Sequence, residues 1–200
     1  MDINEELKSK SPPRIKKAAE RIFKDSLVGY DIQLIKVSEY LLTKPKSWQA
    51  HSSVIRALGV SADNEALQHL KYLVTNDFKA TKLYVDLGFS ICLIEGVEFL
   101  ISILETNNYL LLSGACSALL YGEFIPDDES ISKIIGAIEN YDKDEGQIIT
   151  PRCYIAAACY SWPLERKKNF LDKCMQSSWP TLVEISKDSL SGKRSKYKLV

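Results

Sequence analysis

The chain has 200 residues, of which 46% are hydrophobic and 26% charged, the range of ordinary folded domains, and this excludes wholesale disorder. Its 9 glycines and 7 prolines are too few for a β-sandwich or barrel, because those folds need frequent turns, so a helical fold is favoured. No window of about 18 uninterrupted apolar residues occurs, so the sequence predicts no membrane-spanning segment. The polar, acidic start lacks the apolar core of a signal peptide, and we therefore expect a cytoplasmic protein.

The first two predicted helices lie within residues 11–44. Ser11 is followed by two prolines, which mark a helix start, and an apolar stripe begins at Ile15. A second helix opens at Asp31 and stops before Pro45, because the residue preceding a proline is disfavoured in the helical conformation. The sequence predicts that these helices form an N-terminal capping pair.

A similar two-helix unit recurs over residues 48–175. Each unit has a first helix with small residues near its end, a short polar break, and a second helix with a regular Leu/Ile stripe. The basic tail at 189–200 lacks a sustained apolar period and is predicted to be frayed. Together these segments predict a single helical-repeat domain over residues 1–200. The predicted first helices are 48–58, 79–91, 109–120 and 151–160, and their partners are 64–74, 96–104, 128–141 and 164–174.

Two segments carry a resemblance to a known class of repeats. The sequences Val-Ile-Arg-Ala-Leu-Gly at 54–59 and Arg-Cys-Tyr-Ile-Ala-Ala-Ala-Cys at 152–159 lie in predicted first helices that resemble those of HEAT or armadillo repeats. The resemblance implies an all-α fold, in which antiparallel helix pairs stack as a short right-handed solenoid. A plain irregular helical bundle is the alternative.

Motifs for catalysis and metal binding are missing from the sequence. The nearest two of the five cysteines are six positions apart and lie far from the only histidines, His51 and His69, so the cysteines are predicted to be small core side chains and not zinc ligands. No Gly-rich phosphate loop, GxSxG elbow or HExxH pair occurs. The sequence therefore predicts a protein that is not an enzyme and that needs no metal or cofactor.

Charge is segregated along the chain, although the net charge is zero. Residues 84–145 hold 12 Asp/Glu and 2 Lys/Arg, whereas residues 1–83 hold 10 and 14 and residues 146–200 hold 4 and 10. In the HEAT resemblance, second helices line the concave face, so the acidic stripes of neighbouring second helices are expected to form a negatively charged groove. Such a groove repels phosphates, so we expect no nucleic acid there and a basic protein as the partner.

The predicted partner-binding residues combine carboxylates with tyrosines, which offer a large rigid contact area and a polar tip. A solvated helix face is the alternative for each single carboxylate, and core packing is the alternative for the tyrosines. The predicted set is Glu95, Glu98, Glu105, Tyr109, Tyr121, Asp128, Glu139, Tyr141 and Asp142.

Three functions fit this pattern. In architecture, size and charge, the chain resembles small cytoplasmic helical immunity proteins of contact-dependent growth-inhibition and related polymorphic toxin systems. That resemblance implies a non-enzymatic protein that neutralises a basic, nuclease-like toxin by covering its substrate surface. The first alternative is a HEAT-like adaptor or scaffold that binds a basic protein or peptide. The second is a helical-repeat enzyme that acts on nucleic acid through basic residues near the two ends, namely Lys16, Lys17, Arg21, Lys167 and Lys168.

Overall fold

The computed structural model describes residues 2–61, 63–106, 108–141 and 150–196, and the side chains of residues 140 and 141 lie outside this description. These ranges contain α-helices and two short 3-10 turns, with no β-strand among them. The predicted all-α class is therefore confirmed. The chain divides into two compact units, residues 1–95 and 96–200.

The first unit is built from two layers of helices. Its helices are α1 (Ile3–Lys8), α2 (Pro12–Lys24), α3 (Asp31–Leu42), α4 (Trp48–Ser61), α5 (Asn64–Val74) and α6 (Lys82–Glu95). Helices α2, α4 and α6 pack side by side in one layer, α3 and α5 pack against them in the second, and α1 lies against α2 and α3.

The second unit repeats this arrangement. Its helices are α7 (Val97–Ile103), α8 (Tyr109–Tyr121), α9 (Asp128–Tyr141), α10 (Pro151–Ala158), α11 (Leu164–Cys174) and α12 (Pro180–Leu190). Helices α8, α10 and α12 form one layer, and α7, α9 and α11 form the other.

Helix ends fall where the local chemistry favours them. The side chain of Asp63 accepts a hydrogen bond from the backbone N–H of Glu65 at 2.7 Å, and that of Asn108 accepts one from Leu111 at 3.1 Å. Each satisfies a backbone donor that the first turn of a helix leaves unpaired. Helices α2, α10 and α12 begin instead at a proline, which has no N–H to satisfy.

Helices α4 and α6 approach one another closely where they cross at Gly59. A Cβ atom on Gly59 would lie only 2.7 Å from the Cα of Ser90. The hydroxyl of Ser90 donates a hydrogen bond to the carbonyl oxygen of Ile55 at 2.9 Å, which holds the two backbones together at this point. Glycine is therefore the residue that this crossing requires.

The helix bounds agree with the predicted ones to within a few residues, but the pairing differs. Helices α2 and α3 follow one another in the sequence, yet each packs mainly against α4, and α5 packs more extensively on α6 than on α4. The reason is that α4 is the middle helix of its layer. Eight of its residues, from Ala50 to Gly59, are buried, on more faces than one apolar stripe can cover.

The C-terminal segment also differs from the prediction. Helix α12 extends regular structure beyond residue 175 and includes the first two residues of the tail predicted to be frayed. Arg194 forms an ion pair with Glu123 at 2.6 Å, and Lys196 forms one with Glu184 at 3.2 Å. Serines occupy two buried positions of α12, and this hides its apolar period from sequence analysis.

The five cysteines are buried, as predicted. Burial raises the pKa of the Cys92 and Cys174 thiols to about 12, so both stay protonated at neutral pH. No helix within the described ranges has the length and apolar character needed to cross a membrane.

Candidate protein-binding surface

Three of the predicted acidic site residues form ion pairs inside their own unit. In the first unit, Glu95 contacts Lys71 at 2.6 Å. In the second unit, two carboxylates of α9 face two cations of α11. These pairs are Asp128 with Arg166 at 2.5 Å and Glu139 with Lys173 at 2.9 Å.

The acidic stripe of α9 therefore lies against a basic neighbour, and the segregation of charge along the sequence is partly cancelled in space. The partners in the second unit are separated by 34 to 38 positions in the chain. A count over consecutive residues cannot detect pairing at such distances. The negative charge left for the expected acidic groove is consequently smaller than the charge count along the sequence suggested.

Two predicted carboxylates remain unpaired among the residues that the structure describes. Glu98 lies in the first turn of α7, and Glu105 follows the end of that helix; both are exposed. Their carboxylates are free to act on a partner across solvent. They stay predictions as contact residues.

The tyrosines of the predicted set occupy helix ends. Tyr109 begins α8 and is partly buried, whereas Tyr121 ends α8 with 36% of its surface exposed. Tyr141 ends α9, and its side chain lies outside the description, as does the whole of Asp142.

Two exposed aliphatic side chains stand out near this acidic region. Ile125, in the connection between α8 and α9, is 62% exposed, and Leu164, the first residue of α11, is 53% exposed. Two contacts join the segment that carries Ile125 to the segment that carries Leu164. The indole N–H of Trp162 donates a hydrogen bond to the carbonyl oxygen of Phe124 at 3.1 Å, and the Asp128–Arg166 ion pair is the second contact. We call this surface, residues 123–129 and 162–166, the loop ridge.

The loop ridge is held in place by buried and hydrogen-bonded groups. Trp162 is 3% exposed, so its indole is fixed in the core of the unit. The backbone N–H of Phe124 donates to the carbonyl oxygen of Leu119 at 3.1 Å, and its ring lies so close to Gly122 that a Cβ there would clash. Ile125 is therefore presented by an ordered connection.

Five carboxylates lie in the two segments of the loop ridge that carry these aliphatic side chains. Asp127 accepts a hydrogen bond from the backbone N–H of Ser130 at 2.7 Å; this bond lowers the pKa of Asp127, so its carboxylate stays ionised at neutral pH. Three other carboxylates of the ridge are paired with cations, whereas Asp127 and Glu165 have no ion pair within the described ranges. The rim of the ridge is thus acidic on balance.

Exposed aliphatic side chains inside a charged rim are what protein interfaces use, because the apolar centre supplies affinity and the rim steers the approach. Neither Ile125 nor Leu164 was predicted as a binding residue, since neither belongs to a periodic apolar stripe. The signal that could have found them is an isolated large apolar residue directly before or at a helix start, flanked by Pro126 or Pro163.

Two basic residues of the nucleic-acid alternative also have defined positions. Lys167 is buried, and its ammonium group donates hydrogen bonds to the carbonyl oxygens of Cys159 at 2.8 Å and Tyr160 at 2.9 Å. Lys168 pairs with Asp172 at 2.6 Å. Lys167 therefore caps a turn of the second unit and does not face solvent.

Neither histidine belongs to the loop ridge, since both lie in the first unit. His51 is buried, and its Nε2 lies 2.9 Å from the hydroxyl oxygen of Ser38. Burial, together with the nearby His69, lowers the pKa of His51 to about 4, so the ring is neutral at pH 7. Within the described ranges, no group of three or more His, Cys, Asp or Glu side chains is placed to hold a metal ion.

The likenesses found for this chain are to solved structures of engineered proteins. No family model and no curated protein matches it. An engineered protein from the Northeast Structural Genomics Consortium is 18% identical, with 98% of this chain and 100% of that one covered and a TM-score of 0.45. A designed armadillo repeat protein is 15% identical, with 95% and 98% covered and a TM-score of 0.42. With TM-scores below 0.5, the classification rests on the chain's own helices, which define an all-α protein of layered helices in two units.

Proposed function

We propose that this chain is a non-enzymatic protein-binding module whose loop ridge binds a basic protein. The observation that carries the proposal is the exposure of Ile125 and Leu164 on two segments tied together by buried Trp162. Large aliphatic side chains presented in this way lose water on association without a large cost in side-chain or loop ordering. The acidic rim selects a partner of opposite charge.

In its sharpest form, the proposal is that the chain is an immunity protein for a nuclease-like toxin. A nuclease needs a basic surface because its substrate carries a phosphate at every nucleotide. An acidic inhibitor gains a fast, salt-sensitive association rate with such a surface and blocks the enzyme by covering it. The loop ridge offers the apolar anchors that keep such an inhibitor bound after the encounter.

The proposal is tested by capturing the partner with matched variants. Tagged wild-type protein is incubated with an extract of its own cells at low and at high salt, and the retained proteins are identified by mass spectrometry. The ridge variant carries Ile125→Ala and Leu164→Ala. The control variant carries Val28→Ala and Ile32→Ala, which remove aliphatic side chains of the first unit that are 69% and 58% exposed.

We expect wild type and control to retain one basic protein at low salt and the ridge variant to lose it. The immunity form is then tested by expressing the captured protein in cells. Growth should stop, and it should be restored by co-expressed wild-type chain and not by the ridge variant. If the captured protein does not stop growth, the proposal of a protein-binding module stands and the proposal of an immunity protein is wrong. Equal retention by the ridge and control variants would contradict the binding proposal itself.

A further inference from the structure

One arginine of the first unit has no carboxylate partner in the part of the chain that the structure describes. The guanidinium carbon of Arg56, on α4, lies 4.5 Å from the ring centre of Phe23 and 4.6 Å from that of Phe89. The two rings meet edge to face at 5.9 Å between centres. Contact with both ring systems fixes the position of the guanidinium and stabilises its charge through cation–π attraction.

The guanidinium of this arginine donates no hydrogen bond to any of the described residues. Its Nε is buried and has no acceptor among the described residues, and no carboxylate of those residues lies within ion-pair distance of the guanidinium. A buried donor left unpaired lowers the stability of the folded chain, and the loss is larger when the group is charged. Nε itself is closed to solvent, so an anion that enters the cavity meets the terminal nitrogens of the guanidinium and is attracted by the charge that they share with Nε.

Arg56 lines an open cavity of about 550 Å³ on the layer formed by α2, α4 and α6. Trp48, 36% exposed, and Phe23 give the cavity an apolar wall. A volume of this order accommodates a small organic molecule or a few side chains of a peptide. The cavity therefore combines one fixed cation with an apolar surface.

The charge of the lining selects the kind of anion. Lys82 is paired with the buried carboxylate of Asp86 at 2.5 Å, and that carboxylate also accepts a hydrogen bond from the hydroxyl of Ser52 at 2.6 Å. Lys16 is paired with Glu20 at 3.5 Å. Once these pairs cancel, the guanidinium of Arg56 is the charge that remains in the lining.

A single positive charge matches a carboxylate. A phosphate monoester carries close to two negative charges at neutral pH and would be left with one unbalanced. A nucleic-acid backbone needs several cations that are not already paired. The planar guanidinium also fits a carboxylate with two parallel hydrogen bonds.

We propose that this cavity is a binding site for a carboxylate-bearing ligand, in which the carboxylate pairs with the guanidinium of Arg56 and the adjoining apolar group lies against Trp48. Two kinds of ligand combine a carboxylate with an apolar group in this way. One is a peptide in which an acidic side chain follows an aliphatic one, and the other is a small aromatic acid. The site lies in the first unit and is independent of the loop ridge.

The test follows two nuclei that belong to the site. The Nε–H signal of Arg56 and the indole N–H signal of Trp48 are recorded by NMR while probes are added to the full chain. The probes are benzoate and the blocked tripeptide acetyl-Leu-Glu-Leu-amide. Each has a neutral control of the same shape, benzamide and acetyl-Leu-Gln-Leu-amide, and inorganic phosphate is the competing anion. The variants are Arg56→Met, Arg56→Lys and the control Arg14→Met, which removes an exposed arginine of α2 outside the cavity lining.

We expect both signals to shift saturably with at least one carboxylate probe and to move at least about tenfold less with its neutral control, since a hydrogen-bonded charge pair is lost. The stronger of the two carboxylates identifies the source. Arg56→Met should abolish the shift of Trp48, Arg56→Lys should weaken it about tenfold, and Arg14→Met should leave it unchanged. Equal shifts with the carboxylate and its amide, or stronger binding of phosphate, would overturn the proposal, and these comparisons need only the wild-type protein.

Discussion

Replacing Gly59 with alanine tests the close crossing of α4 and α6. In an exposed helix, this substitution stabilises a protein by about 0.5–1 kcal/mol, because glycine loses more backbone entropy on folding. At Gly59 the added Cβ would lie 2.7 Å from the Cα of Ser90, so the two backbones must separate. Overpacking of this kind costs about 1–3 kcal/mol.

The hydrogen bond from Ser90 to the carbonyl oxygen of Ile55 lies at the same crossing and would be stretched, at a further cost of about 0.5–1.5 kcal/mol. Set against the propensity gain, the expected result is a net loss of about 1–3 kcal/mol in the free energy of unfolding. The measurement is urea-induced unfolding followed by far-ultraviolet circular dichroism.

Gly136→Ala is the matched control. Gly136 lies within α9, and a Cβ there would meet no atom within 4 Å. Alanine at this position should stabilise the chain by about 0.5–1 kcal/mol. If Gly59→Ala stabilised the protein as much as Gly136→Ala does, α4 and α6 could not approach as described, and the layer packing of the first unit would be refuted.

Three further predictions concern pH, the loop ridge and surface charge. The pKa of His51 is about 4 in the folded chain and about 6.5 in the unfolded chain. The stability that the neutral ring contributes is therefore complete above the unfolded pKa, and it is lost as the pH falls towards the folded pKa. Wild type should therefore lose about 2 kcal/mol more than His51→Gln between about pH 7 and about pH 5 in urea unfolding, and parallel losses would contradict the assignment. Trp162→Phe removes the hydrogen bond to the Phe124 carbonyl and should cost about 1 kcal/mol, and it should weaken partner capture more than Trp179→Phe, which leaves that bond intact. Glu139→Lys places a cation beside Lys173 and should destabilise the chain by about 0.5–1 kcal/mol in thermal melts, whereas Glu98→Lys, on an exposed site with no ion pair in the described ranges, should change stability by less than about 0.5 kcal/mol.

The helices were predictable because their signals are local. The apolar stripe after Pro12, the cap at Asp63 and the proline that opens α10 fix helix bounds within a few residues of each other in the chain. The class of the fold follows from such signals, and so does the burial of the cysteines. Helix α12 escaped prediction because serines hold part of its buried face.

The interactions between helices were beyond the reach of local signals. Glu139 and Asp128 looked like an exposed acidic stripe, since their cationic partners Lys173 and Arg166 follow more than thirty residues later. The exposure of Ile125 depends on the bond between Trp162 and Phe124, which joins two connections 38 residues apart. Arg56 appeared in the sequence as one residue of a repeat-like segment, and its unpaired guanidinium became visible only when α2 and α6 were placed around α4.

The dissociation constant of the captured basic protein shows whether it binds at the loop ridge. It should be measured by calorimetry for wild type, the ridge variant Ile125→Ala/Leu164→Ala and the control variant Val28→Ala/Ile32→Ala, each at low and high salt. If Ile125 and Leu164 are buried in the complex, the ridge variant should bind at least about tenfold more weakly than wild type, and the control variant should bind as wild type does. Because salt screens the attraction between opposite charges, wild type should bind more weakly at high salt. Equal dissociation constants for the ridge and control variants would show that the partner does not bind at the loop ridge, and binding that salt does not weaken would show that the acidic rim does not attract it.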